Sequence, residues 1–74
     1  VEFNRAIACV VRRKVCAAYP NGSAFCTAHG IPQPTLSNLL NAKHSPTLAV
    51  LQRIGGALGT SASELVREAE ELSR

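Results

Sequence analysis

The chain has 74 residues, of which 46% are hydrophobic, 18% charged and 4% aromatic. That length fits one domain with a thin core, and the hydrophobic share excludes a disordered chain and leaves little room for a deep catalytic cleft. The net charge of +3 is unevenly divided: residues 1–53 hold six cations against Glu2, a sum of +5, while residues 54–74 sum to −2. A basic front and an acidic tail point to a polyanionic partner for the front half only.

Turn signals at Pro20-Asn21-Gly22, Gly30-Ile31-Pro32-Gln33-Pro34, Ser45-Pro46 and Gly59-Thr60-Ser61 divide the chain into five pieces, none with sustained strict alternation. The first piece, residues 3–18, repeats Phe3, Ile7, Val11 and Val15 at helical spacing, with Ala6 and Val10 alongside. Arg5, Arg12, Arg13 and Lys14 fall elsewhere on that cylinder. The second piece, residues 23–29, has Asn21 or Ser23 as its cap, points Phe25 and Cys26 inward, and stops at Gly30 in a left-handed conformation. The third, residues 34–41, opens with Pro34 at the first helical position and buries Leu36, Leu39 and Leu40. Pro34 is expected to hold Gln33 outside the helix, and Pro32 to do the same to Ile31. Gln33, Thr35, Ser37, Asn38 and Asn41 form an uncharged polar face opposite the leucines.

The fourth piece, residues 48–58, is capped by Thr47 and turns Leu48, Leu51, Ile54, Ala57 and Leu58 to the core. Gly55 and Gly56 each cost about 1 kcal/mol in a helix interior, which close approach of another helix at Gly55 would offset. The fifth, residues 62–72, begins at the capping-box spelling Ser61-x-x-Glu64 and carries the stripe Leu65, Val66, Ala69 and Leu72. Five short helices with tight connections make an all-α domain covering residues 1–74.

Catalysis finds no support. Aspartate is absent, all the glutamates but Glu2 gather near the C-terminus, and no nucleophile–base pair or phosphate loop is present. Cys9, Cys16 and Cys26 form no CxxC and no zinc spacing with His29 or His44. They read as small, buried or half-buried apolar side chains in a reducing compartment, with no metal and no cofactor expected. No apolar run approaches the roughly 20 residues of a membrane span. No signal peptide is visible, and the opening Val-Glu-Phe-Asn lacks an initiator Met, as a fragment or a processed chain would.

Pieces two and three with their glycine turn spell a helix-turn-helix, its core over residues 22–41. Phe25, Ile31, Leu36 and Leu39 lock the two helices at a steep angle, and the third helix shows short hydrogen-bonding side chains that fit a DNA major groove. From Ile7 to Val66, roughly four-fifths of the chain, the sequence resembles the lambda repressor/Cro-like family of XRE-type helix-turn-helix regulators. The resemblance rests on Cys26 at a small-residue position, Gly30-Ile31, Thr35-Leu36-Ser37-Asn38-Leu39, and Asn41-x-Lys43-x-x-Pro46-Thr47. It continues through Leu51-x-x-Ile54-Gly55-x-Ala57-Leu58-Gly59-Thr60-Ser61.

The resemblance implies a compact five-helix, lambda-repressor-like DNA-binding domain. It implies a bacterial or phage repressor that binds a palindromic operator on double-stranded DNA as a homodimer in the cytoplasm. Gln33, Pro34, Thr35, Ser37 and Asn38 match base-reading positions, where an amide can pair bidentately with adenine and Pro34 offers only apolar contact. Ser23, Asn41, Lys43, His44, Arg12 and Arg13 are the candidates for backbone phosphate. The helix over residues 62–72 is the candidate dimer surface through Leu65, Val66, Ala69 and Leu72, with closure of the monomer core as the competing use of the same stripe. Gly22 stands where the family commonly has a phosphate-touching Gln. His29 replaces an apolar residue and is expected to be packed and hydrogen-bonded. Leu40 replaces a Glu that relatives pair with an Arg of the first helix, with Val15 as its facing residue. A protein-interaction module on the same fold, antitoxin-like or adaptor, is the alternative reading; the missing Trp and few aromatics weigh against it.

Overall fold

The computed structural model describes residues 2–42 and 46–73. Five helices follow in order: α1 (Phe3–Ala18), α2 (Gly22–His29), α3 (Gln33–Leu40), α4 (Leu48–Ala57) and α5 (Ala62–Leu72). No strand occurs among the described residues. The fold is all-α, as expected.

α1 is the spine, packed against α5 on one side and α3 on another, while α4 rests chiefly on α5. Its inward stripe is Ala6, Ile7, Val10, Val11 and Val15, joined by Ala8. These meet Phe25 and Cys26 of α2, Ile31 of the turn, Leu36 and Leu39 of α3, Leu51 and Ile54 of α4, and Leu65 and Ala69 of α5. No buried polar or charged side chain occurs among the described residues, so burial of apolar surface is the cohesive force. Lys14 pairs with Glu68 at 3.0 Å across α1 and α5; both are partly exposed, which limits the pair to under about 1 kcal/mol.

The helix ends follow their caps. Ala24 N–H donates to the Asn21 side chain at 2.8 Å, Val50 N–H to Thr47 Oγ1 at 3.2 Å and Glu64 N–H to Ser61 Oγ at 3.2 Å. Only half of the capping box at Ser61 forms, because the Glu64 carboxylate accepts from Arg67 instead, and that bond holds the Arg67 pKa above its ordinary value. Gly55 is buried, and a Cβ there would lie 2.9 Å from the Ser61 carbonyl carbon, so the turn into α5 crosses directly over it. The approach expected at Gly55 is therefore to the backbone that starts α5.

Four expectations need correction. α3 begins at Gln33, one residue before Pro34, with extended Pro32 (ψ 132°) as its N-cap. A following proline biases its neighbour away from helix without forbidding it, and a second-position proline also has no hydrogen bond to lose. Leu48 is 63% exposed: as the first residue of α4 it lies outside the buried stripe of Leu51, Ile54 and Gly55. Phe3, at the opposite end of the α1 stripe from Val15, is 40% exposed. Cys9 and Cys16 are exposed, and only Cys26 is buried.

Candidate nucleic-acid interface

The helix-turn-helix is built from α2, its turn and α3. Gly30 adopts φ 65° and ψ 29°, the left-handed conformation that closes α2, and the Ile31 N–H donates back to the Cys26 carbonyl at 3.0 Å. Ile31, Leu36 and Leu39 are buried beneath the turn together with Phe25 and Cys26. Gly22 lets the start of α2 lie against α3, where an added Cβ would come 3.3 Å from Leu36 Cδ2.

α3 separates its side chains cleanly. Gln33, Pro34, Ser37, Asn38 and the following Asn41 are exposed, whereas Leu36 and Leu39 are buried and Leu40 is half-buried. At helical pitch the five exposed positions fall within an arc of about 140°. Thr35 lies about 60° beyond that arc and is half-buried. A single outward face of one charge-free helix thus presents two amides, a hydroxyl and a proline ring.

The hydrogen bonds on this face leave specific groups free. Gln33 Nε2 donates to Ser23 Oγ at 2.8 Å, linking α3 to the start of α2. One N–H and the carbonyl oxygen of Gln33 remain, the pair that an adenine edge requires. Ser23 acts as acceptor in this bond, so its own hydroxyl proton is available to an anionic oxygen. Asn41 Nδ2 donates to Ser37 Oγ at 3.3 Å in the same sense. Asn38 makes no side-chain hydrogen bond among the described residues.

The basic candidates of α1 part company. Arg12 is exposed and borders a shallow depression of about 250 Å³ with Ser23, Gln33, Ser37 and Asn41. Arg13 lines a depression with Glu68, Glu71 and Leu72, and its Nη2 donates back along α1 to Cys9 Sγ at 3.7 Å. Lys43 and His44 lie outside the described residues. On α5, Leu65 and Ala69 are fully buried in the monomer's core, and Val66 and Leu72 are half-buried.

Two supporting contacts were absent from the sequence reading. Arg53 of α4 donates through Nη2 to the Gly30 carbonyl at 2.7 Å, steadying the turn from outside. No local pattern signals this, since the two residues are 23 positions apart. Tyr19, Phe25 and His29 pack as a three-ring cluster with centroids 5.3–5.7 Å apart. The Tyr19 hydroxyl hydrogen-bonds His29 Nε2 at 2.5 Å. His29 is exposed at its edge yet packed and hydrogen-bonded, as expected. No metal-binding group of His, Cys, Asp or Glu occurs among the described residues, and no helix is long and apolar enough to cross a membrane.

Comparison with known proteins agrees with this geometry. A family model described as "Helix-turn-helix" matches residues 25–65, more than half of the chain. The matched span runs from Phe25 in α2 through α3 and α4 to Leu65 in α5. No curated protein and no solved structure matches.

Proposed function

Because this chain belongs to the helix-turn-helix family of lambda repressor/Cro-like DNA-binding regulators, we propose that it is a bacterial or phage repressor. It reads a palindromic operator as a two-fold dimer, and it silences by occupying the site that transcription must use. It works in the compartment that holds the DNA and needs no cofactor.

The observation that carries this reading is the division of α3: leucines inward, and Gln33, Pro34, Ser37 and Asn38 on one exposed face. A helix so divided enters the major groove with its polar face and keeps its grip on the domain with the other. Gln33 and Asn38 supply amides for base edges, Ser37 and Thr35 supply hydroxyls, and Pro34 supplies an apolar surface for a thymine methyl. Ser23, Asn41 and Arg12 hold the flanking backbone, continued by Lys43 and His44 in the connection to α4. Arg13 is left out, because it lines a depression with the acidic residues of α5. Val66 and Leu72 are the members of the α5 stripe with surface left for a second copy, since Leu65 and Ala69 are committed to the core.

A selection of random duplexes by the purified chain at near-physiological salt, followed by sequencing, tests this reading. A dimeric repressor enriches an inverted repeat whose half-sites lie about one helical turn, roughly 34 Å, apart. Enrichment of single half-sites would remove the dimer, and enrichment of nothing would remove sequence-specific reading.

A further inference from the structure

On α1, Arg5, Cys9 and Arg12 follow one another at spacings of four and three residues and so share one side of the helix. With Leu40, Asn41 and Ala42 at the end of α3 they line a groove of about 320 Å³. Both arginines are exposed. Neither has an acidic partner among the described residues: Glu2 precedes Arg5 by three positions without pairing, and the two ion pairs that form, Lys14–Glu68 and Arg67–Glu64, both involve α5. Arg12 Nη2 lies 3.5 Å from the Leu40 carbonyl, too long to engage the guanidinium strongly. Arg12 and Asn41 also border the depression with Ser23, Gln33 and Ser37. The groove is thus a positively charged continuation of the reading face, around the end of α3.

We propose that the backbone contact assigned to Arg12 and Asn41 extends along this groove to a further phosphodiester outside the base-reading contact, with Arg5 as the added cationic donor beside Arg12. Guanidinium forks suit phosphate oxygens, and two of them converging without an acid between them have no internal neutralisation. The site rests on the DNA-binding reading given above and lengthens its footprint beyond α3.

The test uses a labelled random-sequence duplex of about 30 base pairs, because backbone contacts act without sequence. Binding of the unaltered chain, of an Arg5→Gln/Arg12→Gln double variant and of Arg67→Gln, whose cation lies on α5 beside Glu64, is followed from low to moderate salt. The double variant is expected to lower the slope of log affinity against log salt by about 1–2, since each lost phosphate contact removes close to one counterion. Arg67→Gln, which loses like charge from α5, is expected to change the slope by less than half as much. Equal slopes for the two variants would overturn the groove while leaving DNA binding in place. Alkylation of Cys9 by iodoacetamide, in a Cys16→Ser chain with both arginines intact, gives a second readout that survives any folding failure of the double variant. The duplex is expected to slow this reaction several-fold, and an unchanged rate in the bound complex would overturn the proposal. Absence of any duplex binding by the unaltered chain would overturn this site and the DNA-binding reading together.

Discussion

The guanidinium of Arg53 reaches from α4 to the carbonyl of Gly30, 2.7 Å away, at the left-handed residue where α2 ends. It places a positive charge at the negative end of the α2 dipole and occupies a carbonyl that the helix itself leaves unpaired. Arg53→Ala is expected to lower unfolding free energy by about 0.5–1.5 kcal/mol. Urea denaturation at low and high salt measures it, and the loss shrinks at high salt because the site is exposed.

The adjacent glycines of α4 should respond in opposite directions. At Gly55 a new Cβ would meet the Ser61 backbone at 2.9 Å, whereas at Gly56 it would meet nothing within 4 Å. Gly55→Ala is expected to cost about 1–3 kcal/mol through displacement of the α5 entry. Gly56→Ala is expected to stabilise by about 0.5–1 kcal/mol through helix propensity. Thermal melts of the two variants side by side decide it, and stabilisation by both would contradict the close crossing.

Ala42, just past α3, has φ 54°. A side chain in that region carries a steric penalty that glycine escapes. Ala42→Gly is therefore expected to raise stability by up to about 1 kcal/mol. A rise in the urea midpoint with an unchanged slope would report it.

Asn38 projects from the exposed face of α3 with its amide unengaged by neighbouring side chains. On the selected operator, Asn38→Ala is expected to cost about 1–3 kcal/mol in binding and to relax preference at one base pair. Fold stability should stay within about 0.5 kcal/mol of the parent, as for other exposed substitutions. Competition binding against duplexes altered one pair at a time reads both effects, and an unaltered preference would remove Asn38 from the reading set.

Helical periodicity made α1 and α5 legible to the residue, because each is long enough to repeat its apolar stripe and is bounded by turn chemistry. The turn was equally readable: Asn21, Gly30 and the buried Phe25, Ile31, Leu36 and Leu39 each do locally what their chemistry dictates. The start of α3 was misjudged because proline's effect on Gln33 is a bias, which the extended Pro32 made unnecessary. Leu48 and Phe3 were misjudged because spacing names a face but not how far the buried surface reaches along it. Adjacent residues lie about 100° apart on a helix, so Arg12 and Arg13 were always bound to diverge. Which of them meets the reading face is a tertiary fact. Arg53 and the groove beside Arg5 were invisible for the same reason, since both join segments distant in sequence. Leu65 and Ala69 show the limit on α5: one stripe served two expectations, and only packing could assign its members.

On α3, Gln33, Pro34, Ser37 and Asn38 are exposed and Leu36 and Leu39 are buried, with Thr35 and Leu40 half-buried between the two sets. The exposed face of α3 and the scaffold that presents it are therefore largely separable variables. On the proposed reading, a lineage of such chains would acquire new operators by exchanging residues of this exposed face while Leu36 and Leu39 stay as they are. Exchange of Asn38, which holds no other side chain among the described residues, would cost stability no more than about 0.5 kcal/mol, whereas exchange of Gln33 would also give up its bond to Ser23. Retargeting on that reading would then be bounded more by what DNA offers in its grooves than by the demands of folding.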